Sequence, residues 1–116
     1  MKAVNLAGKL ALVDTHRDPR VVASYNGNDI MVVKFEGGFP FHDHPDTGDF
    51  FLVIEGEVML DVGEETHVLG PGELFVVPKG MRHRPRAARE AKVLLIESAG
   101  TPNTGDPATA AKKAHI

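Results

Sequence analysis

The strongest constraint on the fold of this chain is how short its apolar segments are and how regularly turn signals cut them. Val21–Tyr25 and Ile30–Phe35 flank Asn26-Gly27-Asn28-Asp29, whose Asn-Gly pair supplies the positive φ that tight hairpins need. Phe50–Ile54 is continuously apolar, so this strand is expected to be covered on both faces. Glu55-Gly56-Glu57 turns it into Val58–Val62, and Gly63-Glu64-Glu65 turns again into His67–Leu69. Gly70-Pro71-Gly72 breaks the chain before Leu74–Val77, and Pro78-Lys79-Gly80 bends it before Met81–Ala87. A last strand is expected over Ala91–Glu97. Many short strands separated by breakers specify an all-β sandwich or barrel.

The ends differ from the middle. Leu6–Val13 is compatible with a short helix or an extra strand, and residues 1–98 read as one domain that includes this N-terminal segment. From residue 99 to 116 the composition turns to Gly, Pro, Thr, Asn and Ala without apolar periodicity, which predicts an extended or disordered tail. With 116 residues the chain can bury a core without staples, and with no cysteine it can form neither disulfides nor a thiolate metal cluster. A formal net charge of −3 with mixed signs predicts no nucleic-acid footprint. The first residues are broken by Asn, Gly and Lys before an apolar leader can build up, and no stretch approaches membrane-spanning length. A cytoplasmic location is the resulting expectation.

Chemistry concentrates around His42-Asp43-His44. Histidines at i and i+2 of an extended segment project from the same face. Asp49 follows after a short turn, and His83 arrives from a distant strand. Three imidazoles and a carboxylate suit a divalent first-row metal such as Fe, Mn, Co, Ni or Zn and leave positions open for water or substrate. His16, His67 and His115 are expected on the surface or as satisfied core residues, and Asp43, Asp46 and Asp49 together also fit a solvated acidic turn. The acidic stretch from Glu55 to Glu65 is expected on solvent-facing hairpin edges.

These residues carry a family resemblance. Gly37-x4-His42-x-His44-x4-Asp49-x6-Gly56 resembles the first cupin motif, and Gly72-x5-Pro78-x-Gly80-x2-His83 resembles the second. The 15 residues between them, Glu57 to Pro71, match the compact spacing of small bacterial cupins. The resemblance implies a double-stranded β-helix, the cupin jelly-roll barrel, with a metal near one open end. His42, His44 and His83 fall on its histidine-ligand positions and Asp49 on its glutamate position. Three departures stand out: the leading glycine sits one residue closer to the histidines, aspartate replaces glutamate, and Ala87 occupies a position where asparagine is frequent. Asp49 is one methylene shorter than the usual ligand. It reaches a metal only if the backbone moves inward; otherwise a weaker three-histidine site remains.

Strand parity sorts the neighbours. With His83 inward, Arg82, Arg84 and Arg86 point outward as an exposed basic face, which leaves Lys79 at the rim as the better single candidate for meeting an anion. With Asp49 inward, Phe51 and Val53 line the interior, and either Phe75 and Val77 or Leu74 and Val76 join them. The pocket is then apolar apart from the ligands and lacks a second conspicuous acid or base. Phe50, Leu52 and Ile54 form an outer apolar stripe, widened by Phe35 and Met59, that calls for a cover. A homodimer is expected there, with a lid made of Leu6, Leu10 and Leu12 as the intramolecular alternative. Two functions fit: a metal-dependent enzyme acting on a small oxygenated molecule (isomerase, decarboxylase or dioxygenase type), or a non-catalytic or vestigial cupin that binds a small ligand.

Overall fold

A computed structural model describes all residues from Met1 to Ile116. One short helix, α1 (Leu6–Leu10), precedes seven strands: β1 (Arg20–Tyr25), β2 (Asn28–Gly37), β3 (Asp49–Glu55), β4 (Val58–Val62), β5 (Glu65–Leu69), β6 (Leu74–Val77) and β7 (His83–Ser98). The chain is therefore nearly all β, as the punctuation of the sequence requires. Asn26 and Gly27, with φ of 51° and 77°, make the two-residue turn between β1 and β2.

All strand pairs are antiparallel, and β7 organises them. One sheet runs β1-β2-β7-β3-β6, while β4 pairs with both β5 and β7. The sequence suggested two separate strands, 81–87 and 91–97; instead β7 is a single strand of 16 residues. Its first part pairs with β4 from Arg86 to His83, and its last part pairs with β2 and β3 from Ala91 onward. Ala88, Arg89 and Glu90 are exposed where the strand passes between its two sets of partners. Their polarity mimics a loop although the backbone stays extended.

The core lies between these layers. Met31, Val33, Phe51, Val53, Leu60, Val93 and Leu95 belong to one buried cluster, with Phe75 packed against it. Val77 is buried while Leu74 and Val76 are 52% and 55% exposed, which selects Phe75 and Val77 as the inner pair of β6. Phe35 departs from expectation. It is buried in the main cluster and cannot widen the outer stripe. The stripe continues instead through cross-strand neighbours, with Phe50 beside Val76 and Ile96, and Leu52 beside Leu74 and Leu94.

The N-terminal segment covers only one end of this stripe. Asn5 caps α1 by accepting from the Gly8 N–H at 2.9 Å, and Leu10 and Val13 pack with Val32, Ile54 and Ile116. Leu12 points to solvent, so the proposed three-leucine lid does not form. No helix is long and apolar enough to cross a membrane. Residues 99–116 lack regular structure, yet they pack against the barrel. Asn103 is buried, and Ala114 and Ile116 exchange backbone hydrogen bonds with Val21.

Candidate metal centre

Four side chains converge at one end of the barrel. Asp49 opens β3, His83 opens β7, and His42 pairs with His83 through two backbone hydrogen bonds of 3.0 and 2.8 Å. The bridge occupies the edge of β7 opposite the Val62–His83 pair, so the His42 segment and β4 flank His83 from its two sides. His44 follows on the same face. One donor atom from each of His42, His44, Asp49 and His83 falls within 4.8 Å of all the others, and all four residues are buried. The shorter side chain of Asp49 thus still reaches the histidine cluster.

The hydrogen bonds orient these groups for a cation. His42 Nδ1 donates to the Pro40 carbonyl at 2.9 Å, and His83 Nδ1 donates to the Met81 carbonyl at 2.8 Å. Each bond fixes the tautomer that leaves Nε2 as a lone-pair donor, the arrangement expected behind a ligating histidine. His83 Nε2 lies 3.0 Å and His44 Nε2 3.4 Å from Asp49 Oδ2. Asp49 Oδ1 and both ring nitrogens of His44 are buried without a hydrogen-bond partner. Buried polar atoms left unpaired cost roughly 1–3 kcal/mol each. A divalent ion among these donors would satisfy Asp49 and His44 together, so the residues present fit such a group.

The electrostatics agree with that chemistry. Burial pushes the His42 imidazole down to about 4, further than its bond to Pro40 raises it, so it is neutral at pH 7. Burial works to raise Asp49, but its contacts with His44 and His83 outweigh it and hold the carboxyl below the usual range. Burial likewise works to lower His83, and the bond to Asp49 reverses the sign. Without metal, Asp49 and His83 are therefore drawn together as an ion pair.

Sequence reasoning missed Glu97. It points inward near the end of β7, 3% exposed, and lines a small space of about 10 Å³ with His42, Asp49, Phe39, Phe51 and Asn103. Burial, and then the charge of Asp49, raise its carboxyl to about 7. Its Oε2 has no hydrogen-bond partner and lies 3.7 Å from Lys113 Nζ. The pocket therefore does contain a second acid. Its signal was parity, because Glu97 is in step with Val93 and Leu95, both of them inward.

The other candidates stay outside the centre. Arg84 and Arg86 face outward as parity requires, but they are engaged. Both donate to Asp61 through Nε, at 2.9 and 2.8 Å, Arg86 Nη2 adds a bond at 3.2 Å, and Thr66 adds one at 2.7 Å. Asp61, expected on a solvent-facing edge, is buried beneath them. Arg82 and Arg84 stack on Phe41, 4.6 and 4.3 Å from its ring centre. Lys79 is exposed. His16 bonds Glu90 at 2.8 Å on the surface, His67 stacks on Phe75 at 4.4 Å, and His115 lies exposed in the tail.

Comparison with known proteins places this geometry. The cupin domain profile matches residues 29–97, more than half of the chain. A crystal structure of a cupin-2 domain containing protein from Shewanella frigidimarina superposes with a TM-score of 0.81 at 38% identity, covering 83% of this chain and 94% of that one. The uncharacterized protein YdbB of Bacillus subtilis is 32% identical over 77 residues, 66% of this chain and 68% of its own. The 3-hydroxyanthranilate 3,4-dioxygenase of Jannaschia sp. is 34% identical over 85 residues, 67% of this chain but only 47% of the enzyme. The chain thus spans about half the length of that dioxygenase. With both histidine motifs inside a jelly-roll of antiparallel strands and the profile covering most of the barrel, the chain belongs to the cupin family.

Proposed function

We propose that this cupin binds a divalent transition metal (Fe, Mn, Co, Ni or Zn) through His42, His44, Asp49 and His83 and acts on a small oxygenated substrate. The observation that carries this reading is the unpaired state of Asp49 Oδ1 and His44, buried beside two imidazoles whose Nδ1 atoms are already tied. Bound there, such an ion supplies Lewis-acid polarisation of a substrate oxygen and, where redox-active, one-electron chemistry. Phe39 and Phe51, packed edge-on against His42 and His83, keep water from the ligands. Glu97, raised to about 7, holds a proton near neutral pH beside His42 and Asp49. Isomerisation, decarboxylation and dioxygenation are all compatible with these groups, and similarity to a dioxygenase favours the last.

The alternative is a non-catalytic cupin that binds a small ligand. The observation favouring it is the small size of the space beside the ligands, about 10 Å³, which holds little more than a water. Oxygen-uptake measurements on iron-loaded protein with a panel of diols and keto acids separate the two. Substrate-linked uptake supports the dioxygenase; no turnover of any kind with any loaded metal supports the binding protein.

We also propose a homodimer built on the outer face of β6, β3 and β7. Leu74 and Val76 are exposed there, Phe50, Leu52, Leu94 and Ile96 are half-buried, and α1 reaches only as far as Ile54. Light scattering at micromolar concentration should report a dimer that Leu52→Lys dissociates with metal content unchanged. A monodisperse monomer of the unmodified chain excludes it.

A further inference from the structure

Residues 99–116 are tied to the barrel at their two ends and little in between. The Ala99 N–H donates to the Gly27 carbonyl at 3.0 Å, and Ala114 and Ile116 exchange backbone bonds with Val21. From Pro102 to Lys112 every hydrogen bond closes within the segment. Gly105 bonds Pro102, Thr104 bonds Thr109, and the Ala111 N–H donates to Asn103 Oδ1 at 2.8 Å. The apolar side chains of this stretch are prolines and alanines alone, so burial holds it weakly. Lys113 Nζ, 3.7 Å from Glu97 Oε2, forms the one ion pair between the segment and a strand. The result is a self-bonded loop held between two anchors.

The ends of the loop are built to turn. Gly100 has a φ of +85° and Lys113 a φ of +54°; glycine changes φ freely, and a lysine is held there only by its surroundings. Open clefts of about 560 and 540 Å³ flank the loop, one against residues 43–47 and the other against His16, Arg17 and Phe39. It therefore has room to move on both sides.

Beneath the loop lies the centre. Asn103, 7% exposed, lines the small space shared with His42, Asp49 and Glu97. Gly105 rests on the ligand-bearing segment: a Cβ there would stand 2.7 Å from the Asp43 carbonyl and 3.4 Å from His42 Cβ. The four ligand residues are 1–8% exposed, and the space beside them takes little more than a water. A substrate reaches them only if a wall moves. Phe35, Phe51 and Leu95 cannot, because they sit on paired strands within the main core. Asn103 is on the wall with the fewest bonds to break.

We propose that residues 101–112 form a flap over the metal centre that opens about Gly100 and Lys113 to admit substrate, with Asn103 as its plug and the Lys113–Glu97 pair as its latch. The inference rests on the metal-centre reading for what the flap guards, but not for the motion itself. Seating on the Gly105 backbone lets the flap close without interlocking side chains.

The chain has no cysteine, so one introduced thiol reports on one position. The thiol of Asn103→Cys should react with a bulky disulfide reagent at least about tenfold faster than that of Val53→Cys in the core, and without dependence on denaturant. Gly105→Ala, which props the flap off Asp43, should quicken the labelling of Asn103→Cys about tenfold further. Lys113→Met, which removes the latch, should quicken it about threefold and carries the test if Gly105→Ala does not fold. In Co(II)-loaded protein without the reporter, the same two substitutions should speed cobalt removal by EDTA in parallel. The cobalt absorption spectrum before chelation should be unchanged, since neither residue is a ligand. Labelling of Asn103→Cys no faster than that of Val53→Cys, or equally dependent on denaturant, overturns the flap. Labelling that quickens while cobalt removal does not overturns its role as a gate. A protein that takes up no cobalt yet labels as expected upholds the motion and removes the metal reading.

Discussion

Two buried aspartates, each facing two nitrogen-bearing side chains, sit at different places in this barrel and end in opposite states. Asp61 is saturated: Oδ2 accepts from Arg84 and Arg86 Nε, and Oδ1 accepts from Thr66 and Arg86 Nη2. The Arg86 contact above all holds its carboxyl well below the usual carboxylate range. Asp49 is not saturated, since Oδ2 meets His83 and His44 while Oδ1 meets nothing. Arginine is permanently charged and brings its own donors, so Asp61 forms a closed knot. Histidine is a donor or a lone-pair base according to its protonation, so the Asp49 cluster can exchange protons for a metal. Burial alone does not mark a site; burial with unfilled valence does.

The largest expected effect lies on the Asp49 side. His44→Ala or His83→Ala should lower metal affinity by more than the roughly 10–100-fold typical of losing a supporting contact, with the barrel still folded. Circular dichroism and metal titration check both halves. Unchanged retention in both variants would erase the distinction from Asp61.

The next effect is on stability against pH. Glu97 has a raised folded-state pKa, so its contribution is present below its unfolded value of 4.5 and is lost as pH rises through about 7. His42, lowered from 6.5 to about 4, works the other way and costs stability as pH falls through that window. Glu97→Gln should therefore make the metal-free protein more stable at pH 8 by about 2 kcal/mol relative to pH 5. Denaturant unfolding at the two pH values measures this, and an equal effect at both would assign Glu97 no buried proton.

Asp61→Asn should destabilise by about 2 kcal/mol, the scale of hydrogen bonds to charged groups discounted for half-exposed arginines, while metal content stays at the parent level. Metal loss in this variant would mean that the two aspartates are coupled. Asp49→Glu should change affinity least, holding or tightening it by up to about tenfold because the longer side chain keeps the carboxylate. A complete loss would show that the backbone at Asp49 is set for the shorter residue.

Much of this was legible in the sequence because it depends on local rules. Turn residues placed the strand breaks, and the i, i+2 spacing put His42 and His44 on one face. The Asp61 knot was not legible, because it depends on β4 pairing with β7 in the register that sets Asp61 opposite Arg84. Nothing in the order of residues fixes that register. The packing of the tail against the barrel escaped for a related reason. The tail has no periodic apolar residues, and its packing rests on isolated contacts such as the bonds of Lys113 to Thr101 and of the Ala111 N–H to Asn103 Oδ1. Phe35 was placed on the wrong face because β2 was never tied in register to the ligand-bearing strands.

Elemental analysis of protein purified without a histidine tag, before and after loading with each of the five candidate metals, tests the metal centre most directly. A four-residue centre predicts a single tightly held divalent ion per chain that disappears in His44→Ala and in His83→Ala. No retained ion under any loading condition, or an ion equally retained by both variants, contradicts it.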